Sequence, residues 1–274
     1  MYKMGKSYSR EIDFKTVYDD EDSRDIFVET YFNQDEDQHI LDLIVDIRKK
    51  MPSPLSVQNK LGYSSIYALC FVLQYEYRKI NISFIPSAYF MINNVPKNSE
   101  GKCTLRDTLK SLSKNGVCKE SSCPSFSTVP SKECFDEAEK AKNIVYERLN
   151  KDERTIVNVL DSGSPVIFNY TFYRSFLNCT NNIIKMPIED DINMGVQTAV
   201  ICGYEKEYFI VNNNWGTDWG ESGYVWIHKK IVMSGSDFWI VNKITKDHVN
   251  DYIKIKSKNE NIISDEPYFS EEDT

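Results

Sequence analysis

From Ser64 to Lys79 the chain reads SSIYALCFVLQYEYRK, without Gly or Pro, and Ile66, Cys70, Leu73 and Tyr77 recur at helical spacing. Leu69 and Val72 widen that apolar stripe, so the pattern predicts a helix that is mostly buried. Two shorter helical patterns follow. Thr104 to Lys114 stops at Asn115-Gly116, where Gly can take the left-handed backbone that closes a helix. Ser131 to Lys142 interleaves Glu with Lys, and Ser131 gives it only a weak cap signal. From Pro165 the period changes. PVIFNYTFY, TAVICGY, YFIVNNN and GYVWIHK are short runs rich in β-branched and aromatic residues, bounded by Gly, Asn and charged turns, and they predict strands. Helices followed by strands predict an α+β protein with a helical lobe and a β lobe.

Outside this body the pattern fades. Residues 1–40 carry both signs of charge and few apolar anchors, which predicts an extended arm lying over the body. The body is expected over 41–245, with the helical lobe at about 41–160 and the β lobe at 161–245. Residues 246–274 end in the acidic NENIISDEPYFSEEDT and read as a solvated tail, with Tyr268-Phe269 as a docking candidate within it. There is no internal repeat.

Composition narrows the function classes. The chain has 274 residues, 41% hydrophobic and 27% charged, enough to bury a sizeable core. A formal charge of -8 argues against phosphate-backbone binding, so no nucleic-acid partner is expected. No apolar stretch is long enough to cross a bilayer, and MYKMGKSYSREIDF contains no signal core; an intracellular protein with no membrane partner is expected. Seven cysteines, an odd number scattered through a large chain, fit reduced thiols better than a disulfide framework. Cys103, Cys118, Cys123 and Cys134 lack the short Cys-x2-Cys knuckles of structural zinc, so neither a metal nor another cofactor is expected. The sequons Asn169-Tyr-Thr and Asn178-Cys-Thr read as chance matches.

One block is unlike the rest: Asn213-Asn214-Trp215-Gly216-Thr217-Asp218-Trp219-Gly220-Glu221-Ser222-Gly223-Tyr224. Its glycines permit close backbone approach, and its tryptophans bury flat surface while each asks for a hydrogen-bond partner. It resembles the Asn-Ser-Trp-Gly-x-x-Trp-Gly-x-x-Gly-Tyr block of papain-like cysteine peptidases. In that family the Asn orients the catalytic His and the first Trp shields their hydrogen bond. The preceding strand, Gln197-Thr-Ala-Val-Ile-Cys-Gly-Tyr204, is similar to the family's His-Ala-Val-x-x-Val-Gly-Tyr, with Gln197 in place of the histidine. Gln58-Asn-Lys-Leu-Gly-Tyr-Ser64 is similar to its Gln-x5-Cys arrangement, with Gln58 at the oxyanion position and Ser64 in place of the nucleophile. Asp46-Ile-Arg-Lys-Lys-Met-Pro, Phe84-Ile-Pro-Ser-Ala-Tyr-Phe, Arg106-Asp107 through Gly116-Val117-Cys118, and Ser162-Gly-Ser-Pro-Val-Ile-Phe resemble, in order, segments of the compact, propeptide-lacking branch found in bacteria and large DNA viruses. The likeness spans about residues 45–230. It implies a two-lobed fold with a long central helix and an antiparallel β lobe.

The same resemblance defines what is absent. A papain-type site pairs a thiolate at a helix N-terminus with an imidazolium, while donors hold the oxyanion. A hydroxyl attacks only if an adjacent base removes its proton, and the Gln197 amide does not titrate. The three histidines, His39, His228 and His248, fall at none of the positions from which the family's fold would serve Ser64, unless the arm swings His39 inward. The expectation is therefore a papain-fold pseudoprotease that acts as a binding or structural protein with a protein partner, in the host cytoplasm or a virion if the source is viral. The alternative is a divergent peptidase using Ser64 with an externally supplied base. Non-catalytic roles are expected for each site residue: Ser64 as a helix N-cap, Gln58 and Asn213 as hydrogen-bonders, Gln197 and Asn213 as an amide pair, Trp215 and Trp219 as packing. Tyr63, Asn59 and Ser65 beside these positions predict a groove no longer kept open for a peptide. Oligomeric state is not fixed by the sequence.

Overall fold

The computed structural model describes residues 13–25, 27, 44–54, 62–125, 127, 129–142, 144–179 and 181–243. The predicted acidic tail, Gln58, His39 and His248 lie outside the described residues. Helix α1 spans Ser64–Lys79, with the bounds that the break-free apolar pattern predicts. α2 covers Ala88–Asn94, α3 Leu105–Asn115, α4 Lys132–Glu139, α5 Glu153–Asp161 and α6 Lys229–Ser234. α3 begins where Thr104 Oγ1 accepts the Asp107 N–H at 2.9 Å and ends at Gly116, φ 66°, as its sequence signals require. α4 is shorter than the predicted Ser131–Lys142. Ser131 caps no amide, because its hydroxyl is turned to the Cys134 thiol at 3.7 Å. Past Glu139 the chain must turn through the buried Ala141 into a strand.

The strands are β1 (Thr16–Val17), β2 (Ile44–Asp46), β3 (Cys103–Thr104), β4 (Ile144–Arg148), β5 (Val166–Tyr173), β6 (Ile183–Ile184), β7 (Asn193–Glu205), β8 (Tyr208–Asn212), β9 (Tyr224–His228) and β10 (Ser236–Lys243). They form one sheet whose main path is β4-β10-β5-β7-β8-β9-β6, antiparallel except at β6-β9. β7 is the spine. It pairs with β5 and β8 along its length, with β1 near its start and with β2 near its end.

Two hydrophobic clusters give the molecule its two lobes. One gathers α1, α2 and α3 around residues such as Leu69, Phe90 and Leu109. The other lies under β5, β7, β8 and β9, around Phe168, Ile201 and Phe209. α1 packs against β7 and β10, so its N-terminus meets the middle of β7 where the clusters adjoin. This is the α+β, papain-like two-lobed arrangement that the sequence implies. Asn169, a sequon residue, is fully buried in β5 and bonded to Asp237 and Thr198, where no glycan could be attached to the folded chain.

Candidate active site

The chain turns at Gly62, φ 68°, and enters α1 at Ser64, which is 6% exposed. The helix cap position is Tyr63, with no side-chain cap bond. The expected N-cap role of Ser64 is thus corrected: its hydroxyl points across to the β lobe instead of satisfying a helix amide. Ser64 Oγ accepts the Thr198 backbone N–H at 2.9 Å and shares a hydrogen bond with Thr16 Oγ1 at 3.0 Å. Among the described residues, neither an imidazole nor a carboxylate is hydrogen-bonded to this hydroxyl.

Gln197 sits on β7 next to Thr198 and is 2% exposed. Its Nε2 donates to the backbone oxygens of Thr198 and Asn213, at 3.1 and 3.0 Å. The expected Gln197-Asn213 side-chain pair is therefore not formed, because the Asn213 Oδ1 already accepts the Tyr170 hydroxyl at 2.8 Å. Burial pushes the Tyr170 phenol far above its ordinary pKa, so it remains a proton donor to Asn213. Trp215 packs against Phe172 and Trp219, with ring centroids 4.9 and 4.7 Å apart, which matches the packing role expected of both tryptophans. His228 accepts the Lys230 N–H through Nδ1 at the start of α6 and meets the Tyr208 ring edge-on. Ser64, Gln197, Asn213 and Trp215 are thus brought together around the end of α1.

Sequence reasoning missed how the arm meets this site. Residues 13–25 run between the lobes and over Ser64. Lys15 N donates to Gly62 O and Lys15 O accepts from Cys103 N, both at 3.0 Å, and Thr16 pairs with Cys103 on one side and Val196 on the other. A Cβ on Gly62 would lie 1.5 Å from the Asp13 carbonyl oxygen, so only glycine permits this approach. Phe14 is buried against Phe172. Further along, Asp25 pairs with both Arg106 and Arg148 at 2.5 Å, and its side chain is 5% exposed. Asp19 accepts from Arg106 N at 2.9 Å and from the Trp239 indole at 3.2 Å. The arm's aspartates form a latch between the arm, α3, β4 and β10.

The latch has a pH dependence. Burial, with the neighbouring Asp237 carboxylate, raises the Asp19 pKa from 3.8 to about 6. A docked arm therefore holds a proton on Asp19 more tightly than a free one. The resulting penalty on docking is full above pH 6 and shrinks as the pH falls towards 3.8. Asp25 acts in the opposite sense. Burial alone would raise it, but hydrogen bonds from Arg106 and Arg148 bring its carboxyl below 3.8. Its contribution is present above 3.8 and is lost as the pH drops through its lower folded value. Docking should therefore be tightest between the two windows, in mild acid. In an NMR titration the Trp239 indole N–H resonance should move with a midpoint near 6, and Asp19→Asn should abolish the movement. A midpoint near 3.8 would contradict the burial of Asp19.

A helix headed by a buried hydroxyl, a β strand facing it with Gln197, and an Asn-Trp-Gly block behind them define a two-lobed papain-like protein. The family model described as papain family cysteine protease matches residues 96–261, more than half of the chain, and the chain belongs to that family. It is 29% identical over 244 residues to an uncharacterized peptidase C1-like protein of Acanthamoeba polyphaga mimivirus, covering 78% of each sequence. It is 31% identical over 138 residues to mouse pro-cathepsin H, covering 45% of this chain and 39% of that protein. Among solved structures, xylellain, a cysteine protease from Xylella fastidiosa, superposes with a TM-score of 0.76 at 25% identity, over 89% of this chain and all of the other. Procathepsin L 3 of Tenebrio molitor larval midgut gives a TM-score of 0.62 over 80% of this chain and 74% of its own; at 14% identity that likeness bears on the fold alone. Among the described residues no helix is long and apolar enough to cross a membrane, and no group of three or more His, Cys, Asp or Glu could hold a metal ion.

Proposed function

We propose that this chain is a papain-fold pseudoprotease that works by binding another protein or as a structural component. The observation that carries this reading is the environment of the Ser64 hydroxyl, whose partners are the Thr198 N–H and the Thr16 hydroxyl. Neither group accepts a proton at neutral pH, and Gln197, beside them, cannot act as a base. The arm strengthens the reading: Thr16 lies where a scissile bond would have to approach Ser64. The similarity to a mimivirus protein favours a component encoded by a large DNA virus, residing in host cytoplasm or virion. A divergent peptidase would need a base carried to Ser64 by another segment or by a partner.

A serine-directed electrophile such as a fluorophosphonate separates the two readings. The pseudoprotease leaves Ser64 unlabelled at neutral pH after peptide mapping by mass spectrometry, with the native protein and the denatured control giving the same peptide. Labelling of Ser64 in the native protein that is absent from the denatured control would establish an activated hydroxyl.

A further inference from the structure

Three of the seven thiols meet in the helical lobe, away from the groups around Ser64. The turn 117–123, after α3, folds onto one face of α4. Lys119 N and Ser122 Oγ donate to Glu137 Oε2 at 3.2 and 2.7 Å, and the Cys134 thiol donates to Ser122 O at 3.3 Å. The approach is close, since a Cβ on Gly116 would lie 1.9 Å from the Ala138 carbonyl oxygen. Residues 134, 137 and 138 are spaced to share one helix face. Ser87 clamps the turn from the other side, with its N–H on Cys118 O at 2.9 Å and its hydroxyl on Cys123 O at 2.6 Å. Cys118 and Cys123 are fully buried and Cys134 is 2% exposed. Cys118 and Cys134 are both reduced. Cys118 stands between Gly116, which meets Ala138, and Lys119, which meets Glu137, and so faces the side of α4 that carries Cys134. Burial, with Cys134 among its neighbours, pushes the Cys118 thiol up to about 12.

We propose that Cys118 and Cys134 form an internal disulfide by exchange with a small-molecule disulfide, tying the end of α3 to the first turn of α4. Cys134 gives its proton to solvent, and its thiolate attacks one sulfur of the oxidant. The oxidant's S–S bond breaks, one thiol leaves after protonation, and a mixed disulfide remains on Cys134. Cys118 then loses its proton and attacks the Cys134 sulfur, forming the Sγ–Sγ bond and expelling the second thiol. Two protein thiols are oxidised and one oxidant disulfide is reduced to two thiols. Cys134 leads because it keeps 2% exposure while Cys118 keeps none, so a soluble oxidant meets it first. The burial of the pair makes local opening of the turn the slow step. The bond would close the 118–134 loop, whose reduced form has to be ordered each time the chain folds.

The test treats the full-length protein with oxidised glutathione, alkylates the remaining thiols in denaturant and maps the peptides by mass spectrometry. The expected product is cross-linked between Cys118 and Cys134, carries two fewer alkyl groups than the seven of the reduced chain, and melts about 5–10 °C higher until a reductant is added. Cys134→Ser should abolish both the cross-link and the gain in Tm, while Cys179→Ser should keep them. The map of the unmutated protein stands even if a variant folds poorly. Alkylation of all seven cysteines after oxidation, or a cross-link made only through Cys123, would overturn the assignment.

Discussion

Asp25→Ala should lower the Tm by roughly 6–15 °C and free the arm. The Asp25 carboxylate lies between two guanidiniums, Arg106 and Arg148, whose side chains are 7% and 17% exposed. Removing it leaves both cations in a poorly solvated place. Breaking a buried pair from one side costs about 3–5 kcal/mol, much more than such a pair contributes over an apolar replacement. Arg148 keeps Asp237 and Arg106 keeps the Asp20 carbonyl, so the protein is expected to fold. Phe14, the Lys15 and Thr16 pairing and the Asp19 contacts would then hold the arm without its double ion pair. Limited trypsin digestion reads the release directly, because Lys15 is tied to the Gly62 turn by its N–H and to β3 by its carbonyl. Fast cleavage after Lys15 is expected in Asp25→Ala and slow cleavage in the unmutated protein. Equal rates, with Tm values within a degree or so, would show that the aspartate latch does not hold the arm.

The second large effect concerns restoring the missing pair. Ser64→Cys with Gln197→His should return less than about tenfold over background peptide hydrolysis while the arm is docked. The same pair combined with Asp25→Ala should give a rise of at least about a thousandfold, a fraction of the roughly millionfold worth of a complete nucleophile and base. The reasoning is geometric. Ser64 and Gln197 already face each other through Thr198, whose N–H reaches the Ser64 hydroxyl while its carbonyl takes the Gln197 amide. Thr16 nevertheless blocks the approach to position 64, and the Asn213 Oδ1 is committed to Tyr170, so full activity is not expected. Equal activity with the arm docked or released would mean that the arm does not obstruct the site. No activity in either would point to a groove closed by more than the arm.

How much of this could be read from the sequence follows from the range of each interaction. The bounds of α1 were legible because a run of sixteen residues without Gly or Pro writes its burial into local spacing. β5, β8 and β9 were legible for the same reason, through β-branched runs between turns. β10 was not, since SDFWIVNK is a short apolar run with no alternation, and such a run does not distinguish a buried strand from a helix segment. β4 and α5 lie where charged residues interrupt the pattern, and their burial is decided by β10 and the β lobe core. The Asn213 block was legible as a family signature, but its hydrogen bonds were not. Whether Asn213 would meet Gln197 or Tyr170 depends on the register of β5 against β7, where Tyr170 stands opposite Gln197. The arm was the least legible element. Its charges read as an arm lying over the body, but the partners of Asp25, Arg106 and Arg148, lie 81 and 123 residues away in sequence, beyond the reach of any local pattern.

The central claim of the proposed function is that no group among the described residues removes the proton from the Ser64 hydroxyl. Incubating the purified protein and its Ser64→Ala variant with a peptide library across pH 5 to 9, and counting cleaved bonds by mass spectrometry, tests it most directly. The account predicts the same background for both proteins at every pH. Cleavage by the unmutated protein that disappears in Ser64→Ala would contradict it and make this chain a working peptidase.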